Sequence, residues 1–168
     1  RVRNDDSVVL RVRYGVLVLS VAMAVILYLD RMAISVAMPA MAEDLSQPIE
    51  RVADSVAVFF WCYALLQIPA GWLGDRWGGR RALTLYVLAW SLAIAGMGLV
   101  TTLTGLVIMR GLLGVGQAGA YATTASFLRR WMPFDARGFA NSAVSLGGRA
   151  GAVAAPVLTA VAMAQVAL

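Results

Sequence analysis

The stretch YLDRMAISVAMP (residues 28–39) places an acidic and a basic side chain, Asp30 and Arg31, inside an apolar run that begins at Tyr14. At the centre of a membrane-spanning helix, each ionised side chain raises the free energy of insertion by about 3 kcal/mol. Such charges are therefore typical of a helix that lines a water-filled cavity, pairs the charges or binds an ion. The stretch predicts a spanning helix that carries a transport site.

The composition of the 168 residues indicates a polytopic membrane protein, since 61% are hydrophobic and 14% charged, with a mean hydropathy of +0.77. The net charge of +5 comes from arginines at the ends of apolar runs. That distribution indicates membrane orientation rather than nucleic-acid binding. The single Cys62 and the lack of histidine disfavour a disulfide framework, a zinc site and a Ser-His-Asp hydrolase. We expect no catalytic residue, cofactor, metal or nucleic-acid partner.

Five spanning helices are predicted, at about residues 14–38, 55–74, 82–100, 106–128 and 138–160. Residues 1–13 form an arginine-bearing tail, and arginines recur between the second and third helices and between the fourth and fifth. By the positive-inside rule, the N-terminus is cytoplasmic. The predicted fold is an all-α integral membrane bundle.

One alternative for the first helix is a secretory signal, because Ala40-Met41-Ala42 imitates a cleavage site after an apolar core. The length of the run and its two charges disfavour this interpretation. The chain starts at Arg1 without an initiator Met and stops at Leu168 within an apolar stretch. We therefore expect a fragment of a longer protein.

The most specific motif, GWLGDRWGGRR (residues 71–81), lies between the second and third predicted helices. It resembles the cytoplasmic-loop signature of the major facilitator superfamily. The resemblance implies that the motif is part of a cytoplasmic gate. The motif positions are Gly71, Asp75, Arg76, Gly78, Arg80 and Arg81. Gly78 and Gly79 allow a tight reversal, while the arginines can pair with Asp75 and anchor the turn to headgroups. The plainer alternative is a basic loop that only fixes orientation.

Further residues are similar to the anion:cation symporter branch of that superfamily, whose members carry sugar acids and other organic anions. They are Tyr28 to Arg31 with Ser35 to Pro39, Tyr63 and Gln67 before Pro69-Ala-Gly71, residues 110–119 and 129–138, and Gly147 to Gly151. The resemblance implies that residues 14–168 form a partial N-terminal transmembrane domain, lacking a sixth helix and a C-terminal half. One position departs from the branch, because Gln117 stands where a carboxylate is common.

Inside the predicted spans, three arginines oppose the single carboxylate of Asp30, and the excess positive charge favours an anion. The guanidinium fork matches a carboxylate bidentately. The predicted substrate contacts are Tyr28, Arg31, Tyr63, Gln67, Arg110, Gln117 and Arg149, and Asp30 is the predicted proton carrier. Structural roles remain the alternative for several of them: Arg31 can pair with Asp30, Arg110 can bind backbone, and Tyr63 and Gln67 can join helices.

Small residues recur at four-residue spacing in two spans and predict close helix packing. They are Ala143, Gly147, Gly151 and Ala155 in one span, and Gly114, Ala118 and Ala122 in the other. A nucleotide-binding loop is disfavoured because no Gly-Lys-Ser/Thr sequence occurs.

The resemblance implies secondary transport of a small organic anion with proton symport, by alternating access in a bacterial-type inner membrane. The expected partners are the lipid bilayer, the anion, protons and the missing C-terminal half. Two alternatives stay open. The substrate can be a neutral sugar or a drug, or the chain can be a non-transporting assembly or sensor subunit that dimerises through its small-residue stripes.

Overall fold

The computed structural model describes the backbone of residues 2–166 and the side chains of residues 10–165. Arg1, the tail side chains up to residue 9 and the last residues of the chain lie outside the described residues. The helices are α1 (Val2–Asp44), α2 (Ile49–Trp77), α3 (Gly79–Met97), α4 (Leu103–Ala118), α5 (Ala120–Trp131) and α6 (Arg137–Val166), with a 3-10 helix at Phe134–Ala136. The described residues contain no strand, which confirms the all-α class.

Four helical segments of the described chain are long and apolar enough to cross a membrane. They are Leu10–Asp44, Ile49–Trp77, Leu103–Trp131 and Phe134–Gln165. The helix α3 is not one of the four, because it has 19 residues and carries Arg80 and Arg81 in its first turn. The helices confirm a membrane bundle, with α3 as its short and basic-ended member.

The first helix is longer than the sequence indicates. It passes through Pro39, which is exposed, and continues to Asp44. Proline removes one backbone donor, and a helix in a membrane protein tolerates this where neighbouring groups compensate. The connection to α2 is therefore short, and it turns at Ser46, whose φ is 49°.

The fourth predicted span is divided at Gly119, where α4 ends and α5 begins. The Gly119 N–H donates to the carbonyl of Gln117 instead of continuing the helical pattern. A Cβ at Gly119 would lie 2.5 Å from the ring of Tyr86 on α3. The break thus occurs where an aromatic ring occupies the space that a side chain would need.

The chain forms two compact units. Unit 1 comprises the first helix up to Ile34 together with the chain from Ala125 onward, and unit 2 comprises Ser35–Thr124. Each unit has its own helix contacts and is described by itself.

In unit 2, the glycine contacts show in which direction each helix runs. Gly111 of α4 faces Cys62 and Val58 of α2. Further along, Gly71 of α2 faces Ala122 of α5. Residue numbers rise together on both sides, so α2 runs parallel to α4 and α5.

The helix α3 runs antiparallel to α4 in the same unit. Gly96 lies against Met109, whereas Gly116 lies against Trp90, so numbers rise on one helix as they fall on the other. The directions of α2, α3 and α4 therefore alternate, as short connections between spanning helices require.

The connection between α1 and α2 and the one between α3 and α4 meet at one end of unit 2. The buried residues Ala42, Val52 and Leu106 form a cluster there with partly buried Met38, Met41, Leu45, Met97 and Val100. The cluster joins the end of α1, the start of α2, the end of α3 and the start of α4. Its flexible thioether side chains fill the irregular space between helix ends.

In unit 1, α6 packs on α1 through glycines of the predicted stripe. A Cβ at Gly147 would lie 2.8 Å from a Val21 methyl carbon, and one at Gly151 would collide with the Val25 carbonyl. Both series of numbers rise together, so α1 and α6 run parallel.

Candidate functional site

The site residues predicted from the sequence divide between the units. Unit 1 holds Tyr28, Asp30, Arg31 and Arg149, and unit 2 holds Tyr63, Gln67, Arg110 and Gln117. The structure positions each set through the helix contacts of its own unit.

The charged segment of α1 is half-buried. The guanidinium carbon of Arg31 lies 5.4 Å from the centroid of the Tyr28 ring, a cation–π distance. Asp30 is displaced about 100° from Arg31 around the helix, and each of the three residues takes part in interactions of the folded chain. This part of α1 presents a cation stacked on an aromatic ring, with a carboxylate on the adjacent face.

Arg149 is exposed on α6 and continues a polar stripe. Asn141 and Ser145 lie at four-residue spacing before it and are also exposed, so the three share one face. Toward lipid, such a face is unfavourable in the middle of a spanning helix. The stripe is therefore suited to contact with water or protein.

In unit 2, the polar residues of α4 are buried where α4 meets α2. Arg110 is 4% exposed and Gln117 is fully buried. A Cβ at Gly114, between them, would lie 2.5 Å from the Phe59 carbonyl and 3.2 Å from the backbone nitrogen of Tyr63. The close approach places Tyr63 of α2 at the level of Arg110 and Gln117.

The two polar residues of α2 differ in their surroundings. Tyr63 is half-buried and stacks on Phe59, with ring centroids 6.0 Å apart and an interplanar angle of 17°. Gln67, one turn further along, is exposed. The structure thus brings Tyr63 to the α2–α4 contact and leaves Gln67 on the unit surface.

The motif of residues 71–81 occupies the end of α2 and the start of α3. Gly78 alone separates the helices, and its φ of 84° belongs to the region that favours glycine. The expected ion pair of Asp75 is not formed among the described residues. Instead the guanidinium carbon of Arg76 lies 5.2 Å from the ring centroid of Trp72.

The glycines of the motif also hold α2 against α5. Gly71 faces the Ala122 methyl carbon at 3.5 Å, and a Cβ at Gly74 would collide with the Thr123 side chain. Sequence reasoning did not identify Gly74 or Thr123. A threonine in an apolar span was the available signal, because a hydroxyl that becomes buried needs a nearby partner.

Tyr86 is a second residue that sequence reasoning missed. Its hydroxyl donates to the Ala70 carbonyl at 2.6 Å, and its ring lies against Gly119 at the α4–α5 break. Tyr86 therefore joins α2, α3 and the broken span near the motif. Its tyrosine hydroxyl within an apolar helix was again the signal.

Comparison with known proteins places this geometry in a family. The model of the Major Facilitator Superfamily matches residues 21–167. A protein of Cupriavidus necator named "probable sulfoacetate transporter" is 32% identical over 150 residues, which is 89% of this chain and 35% of that protein.

Two further relatives have names of the same kind. A D-galactonate transporter of Escherichia coli is 32% identical over 123 residues, covering 73% of this chain and 29% of that protein. A hexuronate transporter of Bacillus subtilis is 31% identical over 144 residues, covering 83% and 33%. The chain thus spans about a third of the length of these curated relatives, and the predicted family resemblance is confirmed.

Proposed function

The chain belongs to the major facilitator superfamily, and from that premise we propose that the whole protein is a secondary transporter of a small organic anion. The observation that carries the proposal is the excess of arginine over carboxylate inside the apolar spans predicted from the sequence. Arg31, Arg110 and Arg149 stand there against Asp30. The relatives named for sulfoacetate, D-galactonate and hexuronate are all named for anions.

The two exposed or half-exposed arginines are the proposed carboxylate ligands. Arg149 projects from the polar stripe of α6, and Arg31 lies on the half-buried face of α1 above Tyr28. A planar guanidinium binds a carboxylate through two parallel hydrogen bonds. Tyr28 and Gln67 are proposed to donate to or accept from the substrate hydroxyls.

The buried polar residues of α4 receive a different role. Arg110 and Gln117 are buried on α4, the helix whose Gly114 lies against the backbone of α2, and their charge and amide dipole act within unit 2. Tyr63 reaches the same level from α2. We assign these three to the wall of the site, with contact to substrate through the accessible edge of Tyr63.

Asp30 is the proposed proton carrier, because it is the only carboxylate within the five apolar spans predicted from the sequence. A carboxyl group in a cavity can alternate between charged and neutral forms as substrate arrives. Gln117 cannot titrate, so coupling in this half is assigned to Asp30 alone.

The motif at the α2–α3 turn is the proposed cytoplasmic gate. The turn is reduced to Gly78, and its glycine contacts join the end of α2 to α5. These helix ends are therefore suited to move together when a second half closes on them. The proposed orientation, with the N-terminus in the cytoplasm of a bacterial-type cell, follows from the arginines at this turn and in the loop before α6.

A dimerising assembly subunit is less well supported than a transporter. Gly147 and Gly151 already pack against α1, and Gly114 packs against α2. The stripes that such a dimer would use are thus taken up within the units.

The test is uptake of radiolabelled sugar acids and their neutral parent sugars into proteoliposomes that contain the full-length protein. We expect uptake of at least one acid, and a loss of about tenfold or more in Arg31→Ala and Arg149→Ala. Arg129→Ala, which removes an exposed arginine in the last turn of α5, is the matched control and should transport normally. Equal uptake of the neutral sugars, or full activity in both site variants, would contradict the proposal.

Proton coupling is tested separately with Asp30→Asn. An imposed inward proton gradient should drive accumulation in the unmodified protein, whereas the variant should exchange substrate without accumulating it. Gradient-driven accumulation by the variant would remove Asp30 from the coupling role while leaving anion transport intact.

A further inference from the structure

A groove of about 550 Å³ lies along one face of α3 in unit 2, next to the α2–α3 turn. Its lining residues are Trp77, Arg80, Arg81, Thr84, Leu85 and Leu88. The groove does not include any residue of the proposed transport site. Its lining combines two guanidinium groups, an indole, a hydroxyl and two leucines. Such a lining is suited to an amphiphilic ligand.

The polar and apolar parts of the groove are separated along the helix. The arginines lie in the first turn of α3, whereas Leu88 lies two turns further along. At 1.5 Å rise per residue, the eight residues from Arg80 to Leu88 span roughly 12 Å. A bound molecule that follows the groove therefore meets positive charge first and hydrocarbon afterwards.

The charged end of the groove is accessible. Arg80 and Arg81 are exposed, and neither forms an ion pair with a carboxylate among the described residues. Each guanidinium offers a rigid fork of donors that matches phosphate. Trp77 is 51% exposed beside them, and indole rings are favoured at the headgroup level of a bilayer.

The apolar end is exposed as well. Leu85 is 44% and Leu88 56% exposed, and they lie in a helix of an integral membrane protein. The hydrocarbon of the bilayer is the medium that such side chains face. These surroundings favour a ligand that has an anionic group at the membrane surface and an acyl chain directed into the membrane.

We propose that this groove is a binding site for an anionic phospholipid, whose phosphate lies between Arg80 and Arg81 and whose acyl chain follows Leu85 and Leu88. Arginines near a membrane surface attract anionic lipids individually. The fixed pair in one groove adds a position for the headgroup. The site is distinct from the transport site, so its test does not depend on the proposed substrate.

The experiment is native mass spectrometry of the full chain released from detergent micelles that contain equal amounts of dioleoyl phosphatidylglycerol and dioleoyl phosphatidylcholine. We expect phosphatidylglycerol to be retained about tenfold more than phosphatidylcholine, as two surface arginines imply. The double variant Arg80→Gln with Arg81→Gln should retain both lipids about equally. Its matched control, Arg129→Gln with Arg130→Gln, makes the same charge change at another exposed pair and should keep the preference.

Two further arms separate a lipid from a free phosphate. Glycerol phosphate in excess should not displace phosphatidylglycerol, and Leu85→Asn with Leu88→Asn should weaken its retention at least about fivefold with both arginines in place. Displacement by glycerol phosphate, or unchanged retention in the leucine variant, would establish a surface anion site and overturn the proposal.

A measurement on otherwise unmodified protein covers the case in which the arginine variant fails to fold. Brominated acyl chains quench nearby indoles, so dibrominated phosphatidylglycerol should quench the fluorescence contributed by Trp77 more than dibrominated phosphatidylcholine does. That contribution is obtained as the difference from Trp77→Phe. Equal quenching by the two lipids would overturn the proposal.

Discussion

Arg110 and Arg149 both interrupt apolar helices next to glycines, yet the structure buries the first and exposes the second. The difference lies in their register relative to the glycines that contact a parallel helix. Arg110 precedes Gly114 by four residues, about 40° around the helix, and therefore shares the packed face. Arg149 is two residues from both Gly147 and Gly151, about 200° away, and therefore lies on the opposite face.

The comparison shows that a glycine contact between parallel helices leaves an arginine buried or exposed according to its register on the helix. In unit 2 Arg110 is buried and shares the face of α4 that packs on α2, which favours a role in the wall of the proposed site. In unit 1 the α1–α6 contact leaves Arg149 outward, which favours contact with a ligand or with a second half of the protein. Three substitutions test this difference, and a fourth tests the α2–α3 turn for comparison. Cys62, the single cysteine, provides a measurement because it lies against Gly111 and Gly114.

The largest loss of stability is expected from Arg110→Gln. The buried neighbours of Arg110 lose a charged partner, so the free energy of unfolding should fall by about 3 kcal/mol. The measurement is the midpoint temperature at which a thiol-reactive fluorophore labels Cys62 in detergent. A midpoint equal to that of the unmodified chain would show that the enclosed arginine does not support the fold.

Gly114→Ala tests the contact that encloses Arg110. Its methyl group would meet the Phe59 carbonyl, so α2 and α4 must separate, at a cost of about 2 kcal/mol. Labelling of Cys62 should become faster at low temperature. The control is Gly138→Ala, since a Cβ at Gly138 meets nothing within 4 Å; equal behaviour of the two variants would contradict the close approach.

Gly78→Ala tests the turn rather than the helix contact. With φ at 84°, an alanine is strained by about 1 kcal/mol. The free energy of unfolding should fall by that amount in detergent titration. Gly79→Ala supplies the comparison, because Gly79 is the first residue of α3 and has no positive φ; a larger cost at Gly79 would be inconsistent with the observed turn.

Arg149→Gln should change stability least, by no more than about 0.5 kcal/mol, because the side chain is exposed. In the full-length protein the same change should lower the kcat/KM of anion uptake by about tenfold or more. The pair of results would set Arg149 apart from Arg110. A large loss of stability together with normal uptake would reverse the roles assigned to the two arginines.

Much of the fold was predictable because membrane-spanning helices are determined by local properties. Long apolar runs predicted the bundle, and small residues at four-residue spacing predicted the contact faces of Gly147, Gly151 and Gly114. The helix ends were less predictable. Pro39 was expected to end α1, but a proline on an exposed helix surface removes only one hydrogen bond.

The candidate site was predictable in its residues and less so in their surroundings. A charged residue within an apolar helix indicates a functional site by itself, since its insertion into the membrane is costly. Tyr86 and Thr123 were missed because their importance arises from contacts with Gly119 and Gly74, which are distant in the sequence. The groove on α3 was likewise invisible in the motif, where Arg80 and Arg81 indicated only an anchored turn.

The sequence by itself determined that the chain is a membrane bundle, which family it resembles and which charges lie within its helices. These properties depend on composition and local order, because hydrocarbon excludes any spanning backbone that does not satisfy its own hydrogen bonds. The tertiary structure decided which arginine is enclosed, where the fourth span breaks and which side of α3 forms a groove. Those outcomes depend on how close two helices approach, and that distance is set by the side chains of both helices together.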